Sequence, residues 1–330
     1  MAKVTAIQWC DSSVNPVPGC TGCELYDAEP ARNHCYAATL IRRYAGCKGW
    51  PKSFTEPEYF PGRIEKAIAW RDMTGTNRPG KPWLNRLPRM IFLNDLGDTF
   101  APTAPNPAEW LLPLMGEMGK SPHIWMILTK WPRRMCEFFE AHPAPENFWP
   151  GTTILNQKWA DRNIPWLLRT PGAVRFVSAE PLLEAVELGK RCRICGKYWS
   201  RSDLYCSEGD CLTEDCGIDE DLTGIDLVIV GGESGHNARP MHPGWVRSLR
   251  DQSQKFFLKQ WGAWWPIDQG CGSFLDMEPS GSTWLDVRGQ ASRTYSAMMQ
   301  DPVKLYRVGK KVSGDLLDGG AWHEMPGQER

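Results

Sequence analysis

The chain has 330 residues, enough for one large α/β domain or a barrel with insertions and a substantial core. Lys and Arg total 38 against 39 Asp and Glu, so no global charge imbalance argues for a polyanionic partner, although local basic patches remain open. No basic start followed by an apolar run marks an export signal and no apolar stretch approaches membrane length, so a soluble, cytoplasmic protein without a membrane partner is expected.

In chain order, short apolar runs end in polar residues and precede helix-like segments. The clearest lie at 90–93, 124–128, 174–177 and 227–230, with weaker candidates at 6–9 and 256–258. Near-continuous apolar strands separated by helices imply parallel pairing through right-handed crossovers. The expected fold is α/β, a partial (β/α) TIM-type barrel of about six units. Residues 1–265 would form it, interrupted by a Cys-rich insertion at 191–222. Residues 266–330 would form a C-terminal extension packed on the barrel. In a parallel barrel the C-terminal strand ends share one face, which would gather Asp95, Asp98, Lys130, Glu180, Glu233 and Lys259 at its mouth. Gly231-Gly232 reads either as a tight turn needing positive φ or as a place where a ligand meets bare backbone.

Twelve cysteines are many for an intracellular chain, and most fall into two groups, which favours metal over disulfide. Cys20, Cys23 and Cys35 lie in a Gly-rich loop after the first strand. Three thiolates can hold three corners of a 4Fe-4S cluster and leave one iron open. A zinc knuckle completed by His34 or Cys10 fits the same spacing. The second group is Cys192, Cys195, Cys206, Cys211 and Cys216. Its C-x2-C-G start points to a closed structural zinc site with four of the five as ligands, and a second iron-sulfur cluster is the competing reading. The seventeen Trp are read as packing residues.

Several motifs together resemble the phage Gp37/Gp68 family of three-Cys-motif proteins. They include Ile7-Gln8-Trp9, Asn15-Pro16, Gly19-Cys20 and Cys35-Tyr36-Ala37, then Phe92-Leu93-Asn94-Asp95 and Ile127-Leu128-Thr129-Lys130. Further along are Ser178-Ala179-Glu180-Pro181, Val230-Gly231-Gly232-Glu233 and Phe257-Leu258-Lys259-Gln260-Trp261-Gly262. That family looks like a relative of radical SAM enzymes. The resemblance implies a cluster on Cys20, Cys23 and Cys35, S-adenosylmethionine on the open iron, and an electron donor as partner. It also implies that Asn94, Asp95 and Asp98 help bind the cofactor, while Lys130, Glu180, Glu233 and Lys259 shape the barrel mouth as catalytic candidates. The C-x2-C-x11-C spacing departs from the common C-x3-C-x2-C, with His34 standing where an aromatic residue usually precedes the last cysteine. A phage-type family suggests DNA, RNA or a nucleotide as substrate, in a bacterial host or phage-infected cell, and Trp131 and Trp261 are candidate stacking residues. The alternative from another class is a non-catalytic, zinc-binding nucleic-acid-binding or adaptor protein.

Overall fold

The computed structural model describes residues 3–29, 31–192, 198–199, 218–219, 224–269 and 279–328. In chain order the first half carries β1 (Ser12–Val14), α1 (Tyr36–Tyr44), α2 (Arg63–Ile68), β2 (Met90–Leu93), α3 (Pro107–Trp110), α4 (Leu112–Lys120), β3 (Ile124–Thr129), α5 (Pro132–Ala141) and β4 (Phe148–Thr153). There follow α6 (Gln157–Arg169), β5 (Phe176–Ala179), β6 (Lys190–Cys192), β7 (Tyr198–Trp199), β8 (Ile218–Asp219), β9 (Leu227–Gly231), α7 (Pro243–Asp251) and β10 (Phe256–Gln260).

The main sheet has seven strands in the order β1-β2-β3-β4-β5-β9-β10. All the described pairings are parallel, as in Met90 opposite Ile124 and Phe256 opposite Val228. Its strands follow one another without the reversal of a doubly wound sheet, which is the winding of a barrel left open as a half-barrel. Their faces are apolar and buried nearly throughout, as both-sided cover by helices requires.

Two strands differ from the expectation. The run at 6–9 is not a strand, and β1 lies just beyond it. Lys81 donates from Nζ to the carbonyls of Thr5 (2.9 Å), Ile7 (2.6 Å) and Cys10, and Trp83 Nε1 donates to the Gln8 carbonyl at 2.9 Å. Side chains therefore hold the acceptors that a strand ladder would need. The seventh strand, β4, has the sequence Phe-Trp-Pro-Gly-Thr-Thr and lacks an aliphatic run. Gly151 belongs there because a Cβ would lie 2.5 Å from the Phe176 ring.

Past β10 the chain changes style. β11 (Trp264–Pro266), β12 (Ser282–Leu285), β13 (Ala291–Ser292) and β14 (Val303–Arg307) form a four-stranded sheet, antiparallel in the order β11-β14-β12-β13. A short helix α8 (Lys310–Ser313) and the hairpin of β15 (Leu316–Leu317) and β16 (Gly320–Ala321) complete it. The 191–222 insertion contributes β6 paired antiparallel with β7 and β8. The Cys192 backbone is in β6, while its side chain and Cys195, Cys206, Cys211 and Cys216 lie outside the described residues.

Two compact units divide the chain. One comprises residues 1–153, 169–176 and 327–330, and the other residues 154–168 and 177–326.

Candidate functional site

The polar residues at the strand ends fall into two groups, one in each unit. In the first unit, the loop after β1 is clamped against the turn after β2. Asn94 adopts φ 62° and accepts from the Val17 amide at 3.0 Å, while its Nδ2 donates to Thr99 Oγ1 at 2.8 Å. Gly19 donates to the Leu96 carbonyl and pairs with Gly97 in an isolated parallel bridge. Asn15 joins the same turn from the other side, donating to Asp95 Oδ1 at 2.6 Å and accepting from the Leu96 amide at 2.8 Å. Cys20 leaves this clamp and donates its own amide to the Phe54 carbonyl.

Cys20 and Cys35 belong to one apolar cluster with Ala37, Ala38, Ile41 and Phe54. Cys35 is the N-cap of α1. Burial raises its thiol pKa, and the amides of Ala38 and Ala37 at the start of the helix work against that rise. Burial and the neighbouring Asp98 push Cys20 up to about 12, against the pull of Lys130. Cys20, Cys23 and Cys35 are all free thiols.

Lys130, just past β3, connects these groups. Burial opposes its charge, but Cys23, Asp98, Cys20 and Cys35 around it outweigh burial and raise its pKa. Asp98 fixes the backbone that carries it. The Asp98 carboxylate is buried and accepts from the amides of Phe100 (3.0 Å) and Lys130 (2.8 Å) and from Thr129 Oγ1 (2.7 Å). Burial nevertheless leaves the pKa of both Asp98 and Asp95 raised. Of the three residues expected to touch a cofactor, Asn94 and Asp98 thus have their polar atoms engaged by the protein itself. Asp95 is held by Asn15, and Tyr36 donates its hydroxyl to the Asp95 carbonyl.

In the second unit, Lys259 Nζ lies 2.6 Å from Glu180 Oε1, and Ser178 donates to Glu180 Oε2 at 3.2 Å. A Cβ on Gly231 would meet Glu180 Oε1 at 2.9 Å, so the glycine leaves the carboxylate its place. Glu233 is clasped by Arg239, which donates from Nη2 to Oε1 at 2.8 Å, and from Nε and its amide to Oε2 at 2.9 and 2.8 Å. With its side chain only 4% exposed, Glu233 braces its own loop. Neither reading of Gly231-Gly232 describes what is found there. Neither residue has positive φ, and a Cβ on Gly232 would fall 2.0 Å from the Trp261 carbonyl oxygen, so chain backbone and not ligand makes the close approach. Trp261 is buried with its indole donating to the Leu316 carbonyl, as a core residue does, and Trp131 packs at the edge of the Cys20 cluster.

A family model described as "Protein of unknown function (DUF5131)" matches residues 4–326. The chain belongs to this family. No curated protein and no solved structure matches it. The matched span of the DUF5131 model covers the second unit, all of the first except residues 1–3 and 327–330, and both groups of strand-end residues.

Among the described residues, no three His, Cys, Asp or Glu side chains are gathered closely enough to hold a metal ion, and no helix is long and apolar enough to cross a membrane. Cys10 is buried ahead of β1, with its carbonyl held by Lys81. The sequence assigned no role to Asn15, Thr129, Ser178 or Arg239. Each acts on a neighbour across a turn or strand end, a relation that spacing alone does not carry.

Proposed function

We propose that this protein is a radical SAM-like iron-sulfur enzyme, with Cys20, Cys23 and Cys35 as cluster ligands. One observation supports it above the others: the three thiols sit past the end of the first strand of a parallel half-barrel, where Cys20 and Cys35 pack into one apolar cluster that Trp131, next to Lys130, also joins. Their chemistry suits the group, and binding it would draw Cys20, Cys23 and Cys35 closer together than they stand in this structure. Thiolates are the ligands of such clusters, and three of them leave a coordination position for S-adenosylmethionine. Bound there, the cluster supplies one-electron reductive cleavage of the sulfonium and so a radical that abstracts hydrogen from substrate, with an external electron donor.

The chain's own residues hold and shield. Lys130 would set positive charge beside the thiolates once they held a cluster, which would favour its reduced, more negative state. Asp98 positions Lys130 through its backbone amide. The apolar side chains of Ile41 and Phe54 exclude water from one side of Cys20 and Cys35. Asp95, fixed by Asn15, is the carboxylate of this group to which we assign contact with the cofactor. In the second unit the Glu180–Lys259 pair, with Ser178, forms a polar group of its own. The substrate class we favour is a nucleic-acid base or nucleotide. The second cysteine group is proposed as a structural zinc site within a TIM-type partial barrel.

Anaerobic reconstitution with iron and sulfide should give a brown protein with about four irons at the first group, and reduction in the presence of S-adenosylmethionine should release 5′-deoxyadenosine and methionine. The Cys20→Ala/Cys23→Ala/Cys35→Ala variant should lose both. Uptake of zinc alone, or a triple variant that keeps its iron, would overturn the proposal in favour of a zinc-binding adaptor.

A further inference from the structure

The charge balance of the chain is even, yet residues 31–55 hold no Asp or Glu and carry Arg32, Arg42, Arg43, Lys48 and Lys52. Arg32 is paired with Glu29, whereas Arg43, Lys48 and Lys52 make no ion pair with the described residues. All three are exposed. The segment is built around α1, which buries Ala37, Ala38 and Ile41 against the Cys20 cluster. Helical spacing therefore turns Tyr36, Thr39 and Arg43, at i, i+3 and i+7, to the opposite side. Tyr36 is 55% and Tyr44 40% exposed.

The turn after α1 is ordered into a platform. Cys47 donates to the Tyr44 carbonyl at 3.0 Å, Trp50 to the Cys47 carbonyl at 2.9 Å and Gly46 to the Pro51 carbonyl at 3.2 Å. Arg63 donates to the Gly49 carbonyl. This brings Trp50 onto the Tyr44 ring, with centroids 4.8 Å apart and planes 29° apart. Trp50 also packs against the apolar cluster, so it backs a tyrosine that remains partly exposed. A braced aromatic face flanked by unpaired cations is what a flexible polyanion with planar groups recognises: phosphates meet the cations and a base stacks on the ring.

We infer that the α1 segment, from Tyr36 to Lys52, is a docking surface for single-stranded nucleic acid. A lipid surface fits less well. No Phe, Ile or Leu stands exposed on this face to enter a bilayer, and the exposed aromatics are tyrosines with polar tips. The surface begins one residue past Cys35, so a bound strand passes beside the cysteine loop. The inference does not depend on what metal that loop holds.

The test is fluorescence anisotropy of the full-length protein with a labelled oligothymidylate of about 20 nucleotides, between roughly 50 and 200 mM salt. Binding is expected to weaken with salt. In the Arg43→Gln/Lys48→Gln/Lys52→Gln variant, affinity at low salt should fall at least about tenfold, and the slope of log K against log salt should shrink by about 2, three phosphate contacts at about 0.7 each. Tyr44→Ala should weaken binding roughly fivefold or more and leave the slope unchanged, because stacking releases no counterion. Circular dichroism and melting temperature should be unaltered in the charge variant, whose three side chains are exposed. Absence of binding by the wild type, equal binding by the charge variant, or binding to phosphatidylserine vesicles without binding to the oligonucleotide would each overturn the inference.

Discussion

Arg78 is buried in a dense set of hydrogen bonds. Its guanidinium meets Asp11 in two hydrogen bonds, at 2.6 and 3.1 Å, and also donates to the carbonyls of Leu84, Leu87 and Pro88. Asp11 Oδ2 in turn accepts from the Met90 amide at 2.9 Å, at the start of β2. Both side chains are buried, so removing one partner strands the other's charge away from water. Arg78→Met should therefore lower stability by roughly 3–5 kcal/mol in urea unfolding. The Asp11→Leu/Arg78→Met double variant should recover part of that loss, since it removes the stranded carboxylate. The pair was not legible in the sequence because its members stand 67 residues apart and neither sits in a motif. Strand-end residues such as Asp98 and Lys130 were legible, because a polar residue after an apolar run is a local signal. Their work was not. Asp98, expected from the resemblance to help bind a cofactor, holds three donors of the protein.

Between elements, the decisive contact is the crossing of the loop after β1 over the turn after β2. Gly97 lies at that crossing. A Cβ there would stand 2.3 Å from the Val17 carbonyl oxygen and 2.7 Å from that of Gly19, both backbone atoms that cannot swing aside. Gly97→Ala should push the Cys20 loop off its seat. After anaerobic reconstitution it should bind less than half the iron of the wild type, while far-ultraviolet circular dichroism still reports the α/β fold. Full iron content in this variant would show that the crossing does not set the cysteine geometry. The strand pattern itself was readable where the apolar run was continuous, as at β2, β3 and β9. It failed where side chains intervened: Lys81 and Trp83 take the carbonyls at 5–10, and Pro150-Gly151 masks β4 because the glycine, in register opposite Leu128, leaves room for the Phe176 ring. Neither effect is periodic, so neither is visible to a pattern search.

For the molecule as a whole, a net charge of −1 at pH 7 makes self-repulsion weak, so the pH dependence of stability falls to particular buried groups. Each unit holds one buried histidine, and burial lowers the pKa of both His123 and His242 from their ordinary value of 6.5. His242 is the N-cap of α7. Its Nδ1 accepts from the Gly244 amide at 3.0 Å, so Nε2 carries the proton and donates to the Asp301 carbonyl at 2.8 Å. A proton on Nδ1 would remove the acceptor and the cap with it. For a histidine with a depressed folded pKa, the unfolded chain takes up the proton first as pH falls through about 6.5. The stability it contributes is therefore complete above that pH and is lost below it, at a slope approaching 1.4 kcal/mol per pH unit for each histidine. Asp95 and Asp98, whose pKa values are raised, act in the opposite direction over the acidic range, so the total slope alone does not identify the histidines. Replacement does. His242→Asn keeps a capping acceptor that does not titrate. Chemical denaturation of wild type and variant at pH 7.5 and 5.5 should then show a difference in stability that moves in the variant's favour by about 1 kcal/mol at the lower pH. A constant difference between the two pH values would mean that His242 titrates alike in the folded and the unfolded chain, contrary to its contacts with Gly244 and Asp301.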